Sequence, residues 1–458
     1  MAVLRAKIES RRLRGARAGA WTGTLALLIS LWPLLGSAQP AAAYGTGCNH
    51  PVVLPVGPFT IAGDNRTVKD ANGRTFISYG TTVPGLSSPT FSTDPNFVTN
   101  IVNGKDIPKI DATANVWCGN TVRLQVSQYN ATQNTTPDGG GCDTSFLNQA
   151  LDPEVHRAEA DGLVVVINDQ TESDSAAVPG LAQQERDPTT ATFAFWNCVT
   201  RHHENWGGNQ TYAQDQQVVF DIFNEPRADA CSSDNGPNGP YDMSLWRNGA
   251  LSNGICGPVV NYQGMNAVAY HIRVYDNATN LLWVEGPGNG NSLAGLETGN
   301  CSPAPQCLIT AALGPIVYSI HHPFADANTP ASSATWWKEF GYLVDHPDPA
   351  GVAPVVAGEW TNFTASAANP HPFCWLDAPT SVPNFLSYLQ TLGVGMSAYQ
   401  LAAPTAGYLL KANQAWTDTT NYTDATWSLG FCSYPDGTQT IPLLGAGSLI
   451  RAWFQRQN

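Results

Sequence analysis

Eight short apolar runs, separated by longer and more polar stretches, constrain the fold more than any other feature of this sequence. Each run is continuously apolar rather than alternating, which is typical of a strand buried on both faces of a parallel sheet. The stretches between the runs have room for a helix. The runs are Phe76–Tyr79, Thr121–Val126, Leu163–Ile167, Val218–Phe223, Leu281–Val284, Ile316–Ile320, Pro354–Ala357 and Val394–Ala398.

Eight strand–helix units in series predict a (β/α)₈ TIM barrel with long loops. In the stretch Thr192–Asn205, for example, Phe193, Trp196 and Val199 are spaced for one apolar face of a helix. A doubly wound open sheet is the alternative, but the glycine-rich phosphate loop that follows its first strand is missing. Residues 44–458 contain no Pro/Ser-rich linker and no internal repeat, so we expect one catalytic barrel domain there.

A glutamate follows the fourth run and another follows the seventh. The fourth run reads Val-Val-Phe-Asp-Ile-Phe before Asn224-Glu225-Pro226, and the seventh reads Pro-Val-Val-Ala-Gly before Glu359. In a barrel the ends of these strands converge on one mouth. Two carboxyl groups at one mouth are what the cleavage of a glycosidic bond needs, since one must carry a proton and the other must be ionised.

These motifs resemble glycoside hydrolase family 5, cellulase-like enzymes of a clan of (β/α)₈ barrels with catalytic glutamates on strands four and seven. The resemblance runs from about Thr60 to the C-terminal end, and its most specific element is Asn224-Glu225-Pro226 after Phe-Asp-Ile-Phe. It implies a retaining β-glycoside hydrolase without cofactor or metal. It also implies that Glu225 is the general acid/base and Glu359 the nucleophile.

The same resemblance assigns substrate-side roles to four further residues. Arg123 matches the strand-two arginine that supports the nucleophile, and His321 matches the strand-six histidine that faces the substrate. Asn224 is expected to hydrogen-bond the sugar 2-hydroxyl. Tyr399 stands where the family has a tryptophan platform, and we expect it to stack on the sugar. All four are predicted to line one cleft.

Two other positions depart from the family pattern. Gln170, after the third strand, takes the place of a histidine, and Pro323 stands where a tyrosine usually bonds the nucleophile. The resemblance favours a β-linked polysaccharide or oligosaccharide, above all a β-glucan, as substrate. A carbohydrate-binding protein on an inactive barrel and a clan relative acting on mannan or a glycolipid are the alternatives. Whether Glu285, after the fifth strand, lines the cleft is left open.

The composition restricts the class of partner. The formal net charge is −14, although residues 1–43 carry a net charge of +5, so the rest of the chain is more acidic still. Such a surface repels nucleic acid and anionic membranes and suits an uncharged partner. Fourteen Trp and fifteen Tyr offer flat rings that pack well on sugar faces. We expect a monomer that binds neither nucleic acid nor membrane.

The N-terminus and the cysteines point to export. Four arginines from Arg11 to Arg17 precede an apolar run from Ala20 to Leu35, and small residues end at Ala43. This pattern predicts a signal peptide over 1–43, cleaved near Ala43, and a secreted mature chain. All ten cysteines lie beyond it, and an even number in an exported chain favours disulfides. Cys301 and Cys307 are predicted to form a local bridge, while the other pairings stay open.

Overall fold

The computed structural model describes residues 48, 54–88, 91, 94–132, 141–171, 185–205, 210–228, 242–251, 260–297, 301, 306–321, 332–346, 351–361, 378–401, 409–410, 430–433, 440–443 and 446–457. Eight parallel strands follow one another in chain order and close into a barrel, which confirms the predicted (β/α)₈ fold. They are β1 (Tyr79–Val83), β2 (Thr121–Ser127), β3 (Val164–Gln170), β4 (Val218–Asp221), β5 (Leu282–Glu285), β6 (Ile316–Ile320), β7 (Val355–Trp360) and β8 (Gly395–Ala398).

Helices occupy the connections between the strands. The α-helices are Ile107–Asn115, Gln128–Thr132, Thr144–Phe146, Asp152–Ala160, Thr190–Thr200, Met243–Asn248, Met265–Tyr270, Ser333–Trp336, Tyr342–Val344, Ala378–Leu392 and Gly447–Gln457. Wider π-helical turns extend some of them at Thr99–Asp106, Leu147–Leu151, His271–Tyr275 and Trp337–Gly341, and short 3₁₀ turns lie at Gly85–Ser87 and Ala311–Leu313. Within the described part of the chain, no helix is both long enough and apolar enough to cross a membrane.

The helix predicted over Thr192–Asn205 is shorter than expected and ends at Thr200. The carbonyl of Thr200 accepts a hydrogen bond from the backbone N–H of Ala213 at 3.0 Å, so this bond competes with another helical turn. Two residues further on, Nε2 of His202 lies 3.0 Å from Oδ1 of Asp152. These contacts with distant segments draw the chain out of the helix, and the spacing of apolar residues carries no information about them.

The first strand also differs from its prediction, since it covers Tyr79–Val83 rather than Phe76–Tyr79. The ring of Phe76 packs against Phe59 with 4.7 Å between the ring centroids, below the start of the strand. The strand itself contains buried threonines, and the hydroxyl of Thr82 is hydrogen-bonded at 3.0 Å to a serine hydroxyl of β8. Polar residues that are paired inside the barrel hide this strand from a search for apolar runs.

The barrel interior has two layers. The lower one, which we call the apolar layer, includes side chains of the antiparallel hairpin Thr60–Ile61 and Val68–Lys69 and its flanks. Its members are Phe59, Val68, Phe76, Val164, Val166, Val219, Leu281, Trp283, Val317 and Val356. Above it, towards the C-terminal ends of the strands, the inward positions become polar. Two further hairpins join Gly249–Leu251 to Asn261–Gln263 and Gly430–Ser433 to Thr440–Leu443.

Three disulfides link described cysteines, namely Cys48–Cys118, Cys142–Cys198 and Cys301–Cys307. The last of these confirms the predicted local bridge. The first two close long loops, with sequence separations of 70 and 56 residues. Cross-links that close loops of this length restrict the unfolded chain and so favour the folded barrel.

Candidate active site

Arg123 of β2 is the centre of a polar layer at the C-terminal end of the barrel. Its guanidinium is fully buried and donates hydrogen bonds to Asp221 (2.8 Å), Glu359 (2.6 Å), Asn224 (2.7 Å) and Glu285 (3.0 Å). A planar guanidinium suits this position because its donors point in fixed, diverging directions. Residues from β2, β4, β5 and β7 are thereby connected through one side chain.

The charges of this layer depend on one another. Burial opposes the charge of Arg123, but the carboxylates of Asp221, Glu359 and Glu285 outweigh it and raise the pKa of Arg123 above its ordinary value. Burial, and after it the Glu285 carboxylate, raises the pKa of Asp221 well above its usual range despite the neighbouring Arg123. Buried charges are stable only when partners compensate for the lost hydration. The layer is therefore a single electrostatic unit rather than a set of separate pairs.

Glu225 follows β4 and is held by its backbone. Its φ angle is 51°, in the left-handed region, where a residue other than glycine costs about 1–3 kcal/mol. The backbone N–H of Glu225 donates to Oε2 of Glu285 at 2.6 Å, and that of Asn224 donates to the carbonyl of Asp169 at 2.9 Å. These two bonds stabilise the turn that directs the Glu225 side chain towards the mouth, where 16% of it is exposed.

Glu359 lies in β7, on the other side of the layer. Its Oε2 accepts from Arg123 and, at 3.2 Å, from Nε2 of Gln125. The preceding Gly358 is required by packing, since a Cβ at that position would lie 2.0 Å from the hydroxyl oxygen of Ser319. The missing side chain lets β7 approach β6 closely and brings Glu359 into the polar layer.

His321, at the end of β6, lies between three carboxyl groups. Its Nδ1 is 3.1 Å from Oε1 of Glu225 and 3.9 Å from Oε2 of Glu359, and its Nε2 is 3.0 Å from Oε1 of Glu285. Burial opposes protonation of the ring, but Glu285, Glu359 and Glu225 together raise the pKa of His321 well above its ordinary value. Gly290 makes room for the ring, because a Cβ there would lie 2.8 Å from its Cγ.

Side-chain atoms of Glu225, His321 and Glu359 lie within 4.8 Å of one another, close enough to share a metal ion. The candidate ligand atoms already have protein partners, however, because Nδ1 of His321 contacts Glu225 and Oε2 of Glu359 accepts hydrogen bonds from Arg123 and Gln125. We therefore interpret the three residues as groups that move and hold protons.

The remaining predicted positions lie at the same end of the barrel. Tyr399 follows β8, is half-buried, and donates its backbone N–H to the carbonyl of Trp360 at 2.8 Å. Gln170 is the last residue of β3 and is buried. Pro323 lies outside the described residues. The structure thus brings Arg123 into one network with Asn224, the two glutamates and His321, while Tyr399 lies on the rim beside them.

Sequence reasoning missed Asp221 and Gln125 and left Glu285 open. Asp221 stands inside an apolar run, and a carboxylate there must have a buried partner. Gln125 is two residues beyond Arg123 and so shares its face of the strand. Both features are visible in the sequence, but neither indicates which residue the side chain contacts.

A cavity of about 510 Å³ opens at the opposite, N-terminal end of the barrel, where Phe76, Trp283 and Val356 contribute to its walls. Barrel enzymes carry their chemistry at the C-terminal ends of the strands. This cavity is therefore separate from the polar layer around Arg123.

Three solved structures illustrate the structural similarity. A hyperthermophilic endocellulase from Pyrococcus horikoshii has a TM-score of 0.51 at 14% identity, with 88% of this chain and 100% of that chain covered. A β-glucanase from Saccharophagus degradans has a TM-score of 0.45 at 16% identity, covering 78% and 88%. A β-mannanase from Thermomonospora fusca has 0.42 at 14%, covering 81% and 88%. At such identities the similarity concerns the fold alone.

No curated protein sequence matches the chain significantly. The family described as Cellulase (glycosyl hydrolase family 5) matches residues 74–403. This range contains all eight barrel strands and the polar layer around Arg123. The chain is a glycoside hydrolase and belongs to glycosyl hydrolase family 5.

Proposed function

We propose that this enzyme is a secreted, retaining β-glycosidase that hydrolyses a β-linked glucan. The observation that carries the proposal is the distance between an oxygen of Glu225 and an oxygen of Glu359, which lie within 4.8 Å of each other. Retaining enzymes hold their two carboxyl groups about 5–5.5 Å apart, whereas inverting enzymes leave about 6.5–9.5 Å for a water molecule. The short separation favours a double displacement.

In the first displacement, Glu359 attacks the anomeric carbon while Glu225 protonates the departing glycosidic oxygen. The hydrogen bonds from Arg123 (2.6 Å) and Gln125 (3.2 Å) stabilise Glu359 as the carboxylate that can attack. Glu225 is the more exposed of the two, with 16% of its side chain accessible against 6% for Glu359. The greater exposure suits a group that exchanges its proton first with the leaving group and then with water.

In the second displacement, the Glu225 carboxylate takes a proton from water while the water oxygen attacks the anomeric carbon. The bond between that carbon and Glu359 breaks, and Glu359 leaves as a carboxylate. The two inversions restore the β configuration. Asn224 supports both steps. Arg123 holds its Oδ1, and its buried Nδ2 has no hydrogen-bond partner within the described segments. We assign this N–H to the sugar 2-hydroxyl, a contact that strengthens in the transition state.

The preference for β-glucan is supported by the family description, Cellulase. A net charge of −14 suits an uncharged polymer, and the half-buried Tyr399 on the rim offers a ring on which a sugar can stack. The three disulfides suit an oxidising compartment outside the cytosol. A signal peptide over 1–43, one catalytic domain over 44–458 and a monomeric state are parts of the same proposal.

The proposal is tested by offering β-glucan, mannan, xylan and aryl β-glycosides and following the anomeric proton of the first product by NMR. Release of β-configured product from β-glucan is expected. Initial release of the α-anomer would contradict retention. Turnover of mannan alone would replace the substrate assignment, and binding without turnover would identify a carbohydrate-binding barrel.

A further inference from the structure

Glu285 contacts three parts of the polar layer at once. Its Oε1 lies 3.0 Å from Nη2 of Arg123 and 3.0 Å from Nε2 of His321, and its Oε2 accepts the backbone N–H of Glu225 at 2.6 Å. The side chain is fully buried. We propose that Glu285 is a positioning residue, which keeps His321 as an imidazolium and fixes the backbone of Glu225, so that it sets the pH range in which Glu225 acts as an acid. This inference rests on the acid/base role proposed for Glu225.

The protonation of His321 follows first from geometry. A neutral imidazole has one N–H, so it donates to one carboxylate and presents a lone pair to the other. Here Nε2 faces Glu285 and Nδ1 faces Glu225, with Glu359 beyond it. The 3.0 Å contact of Nε2 with Glu285 is an ion pair rather than an aligned hydrogen bond. A neutral ring would turn a lone pair towards one of the carboxylates, whereas the imidazolium presents positive charge to both.

The pKa of Glu285 is consistent with a positively charged His321 beside it. Burial opposes its ionisation, but His321 and then Arg123 outweigh burial and lower the pKa of Glu285 below its ordinary value. The same pairing contributes to the raised pKa of His321. The two partners therefore stabilise each other's charged forms, which is the condition for a buried ion pair to persist.

The groups that face His321 come from separate elements. Glu285 belongs to β5, Glu225 follows β4, and Glu359 belongs to β7, while Arg123 of β2 is reached through Glu285. The imidazolium N–H that points at Oε1 of Glu225 leaves Oε2 as the oxygen that carries the transferable proton. Glu285 thus acts on the proton donor through His321 and does not need to touch the sugar.

Replacing the charge of Glu285 should change the pH dependence more than the fold. In Glu285→Gln the amide oxygen keeps an acceptor near the Glu225 N–H, but the anion beside His321 is gone. Losing an opposite charge lowers a histidine pKa. His321 then loses its proton at lower pH, and the neutral ring no longer favours the carboxylate form of Glu225. Glu225 should keep its proton to higher pH, so the alkaline limb of kcat should move to higher pH by about one unit, with KM little changed.

One variant serves as a matched comparison. Glu297→Gln removes a carboxylate that also pairs with a histidine, His346 at 3.2 Å, but lies outside the polar layer. This variant should not move the alkaline limb as Glu285→Gln does. An equal shift in both would mean that any change of charge has this effect and would overturn the assignment to Glu285.

The decisive experiment is an NMR titration of the His321 ring in the full chain and in Glu285→Gln, with the signal assigned by its loss in His321→Asn. We expect His321 to titrate well above its ordinary range in the parent protein and at clearly lower pH in the variant. Titration of the parent near the ordinary value of about 6.5, or an unchanged titration in the variant, would overturn the inference. Because this readout needs no turnover, failure to hydrolyse glycans would contradict the proposed function separately.

Discussion

The two layers of the barrel interior have the same scaffold and opposite compositions. The apolar layer consists of valines, aromatic residues and a leucine that bury one another without polar partners. The polar layer above it holds Arg123, His321 and several carboxyl groups, buried to a similar degree and connected by hydrogen bonds. The same strands supply both, so the change occurs within two residues, as from Trp283 to Glu285 on β5.

The difference shows how the barrel separates stability from chemistry. Burying apolar surface stabilises the fold wherever it occurs, whereas a buried charge must be compensated by its neighbours. In the polar layer that compensation makes the residues interdependent, so a change at one of them should alter the reactivity of the others. In the apolar layer a change should alter the stability of the whole and leave the chemistry intact. Substitutions in each layer test whether reactivity and stability are separated in this way.

The largest effect on activity is expected for Glu359→Ala in the polar layer. The variant has no group to form the glycosyl-enzyme, so kcat should fall on every substrate by a factor on the order of 10⁴–10⁶. The fold should survive because Arg123 keeps its bonds to Asp221 and Glu285. Steady-state kinetics beside circular dichroism measure both quantities, with Glu297→Gln as the control. Residual activity above about one percent would show that Glu359 is not the nucleophile.

A smaller and substrate-dependent effect is expected for Glu225→Ala. Substrates with poor leaving groups need its proton and should lose about 10²–10⁴-fold in rate. Aryl glycosides with good leaving groups should still form the intermediate, which then persists because no base activates water. Azide needs no base and should restore turnover with a β-glycosyl azide as product. Equal loss on all substrates without azide rescue would contradict an acid/base role for Glu225.

The smallest effect on activity is expected for Phe76→Ala in the apolar layer. Its ring packs on Phe59 at the N-terminal end of the barrel, so its removal should lower the free energy of unfolding by about 3–5 kcal/mol. The kcat of the folded enzyme should remain within about twofold of the parent, since mutations far from the site do not couple to it. Denaturant unfolding and kinetics on the same samples test this. Lost kcat with unchanged stability would refute the separation of the two layers.

The same contrast explains what the sequence could predict. The apolar layer and the helix faces obey periodicities, so the eight strands and the barrel followed from the apolar runs, apart from β1, whose Gly-Thr-Thr segment is polar. Glu225 and Glu359 were found because each interrupts such a run at its end. The contact between Arg123 and Glu359 was expected and is present at 2.6 Å.

What the sequence could not supply is the pairing within the polar layer. Glu285 resembles any carboxylate at a strand end until the register of β5 against β6 brings it to His321. Asp221 becomes intelligible only as a partner of Arg123, 98 positions earlier in the chain. Such contacts depend on which strands are neighbours and on how each side chain turns, and a periodic pattern records neither.

The central claim is that Glu359 forms a covalent bond to the sugar, and trapping that bond tests it most directly. A dinitrophenyl 2-deoxy-2-fluoro-β-cellobioside has a good leaving group, while its fluorine slows hydrolysis of the intermediate. Incubation followed by peptide mass spectrometry should place one fluorinated sugar on the peptide that contains Glu359, and Glu359→Gln should carry none. An adduct on Glu225, or hydrolysis of β-glucan with inversion and no adduct at all, would contradict the account.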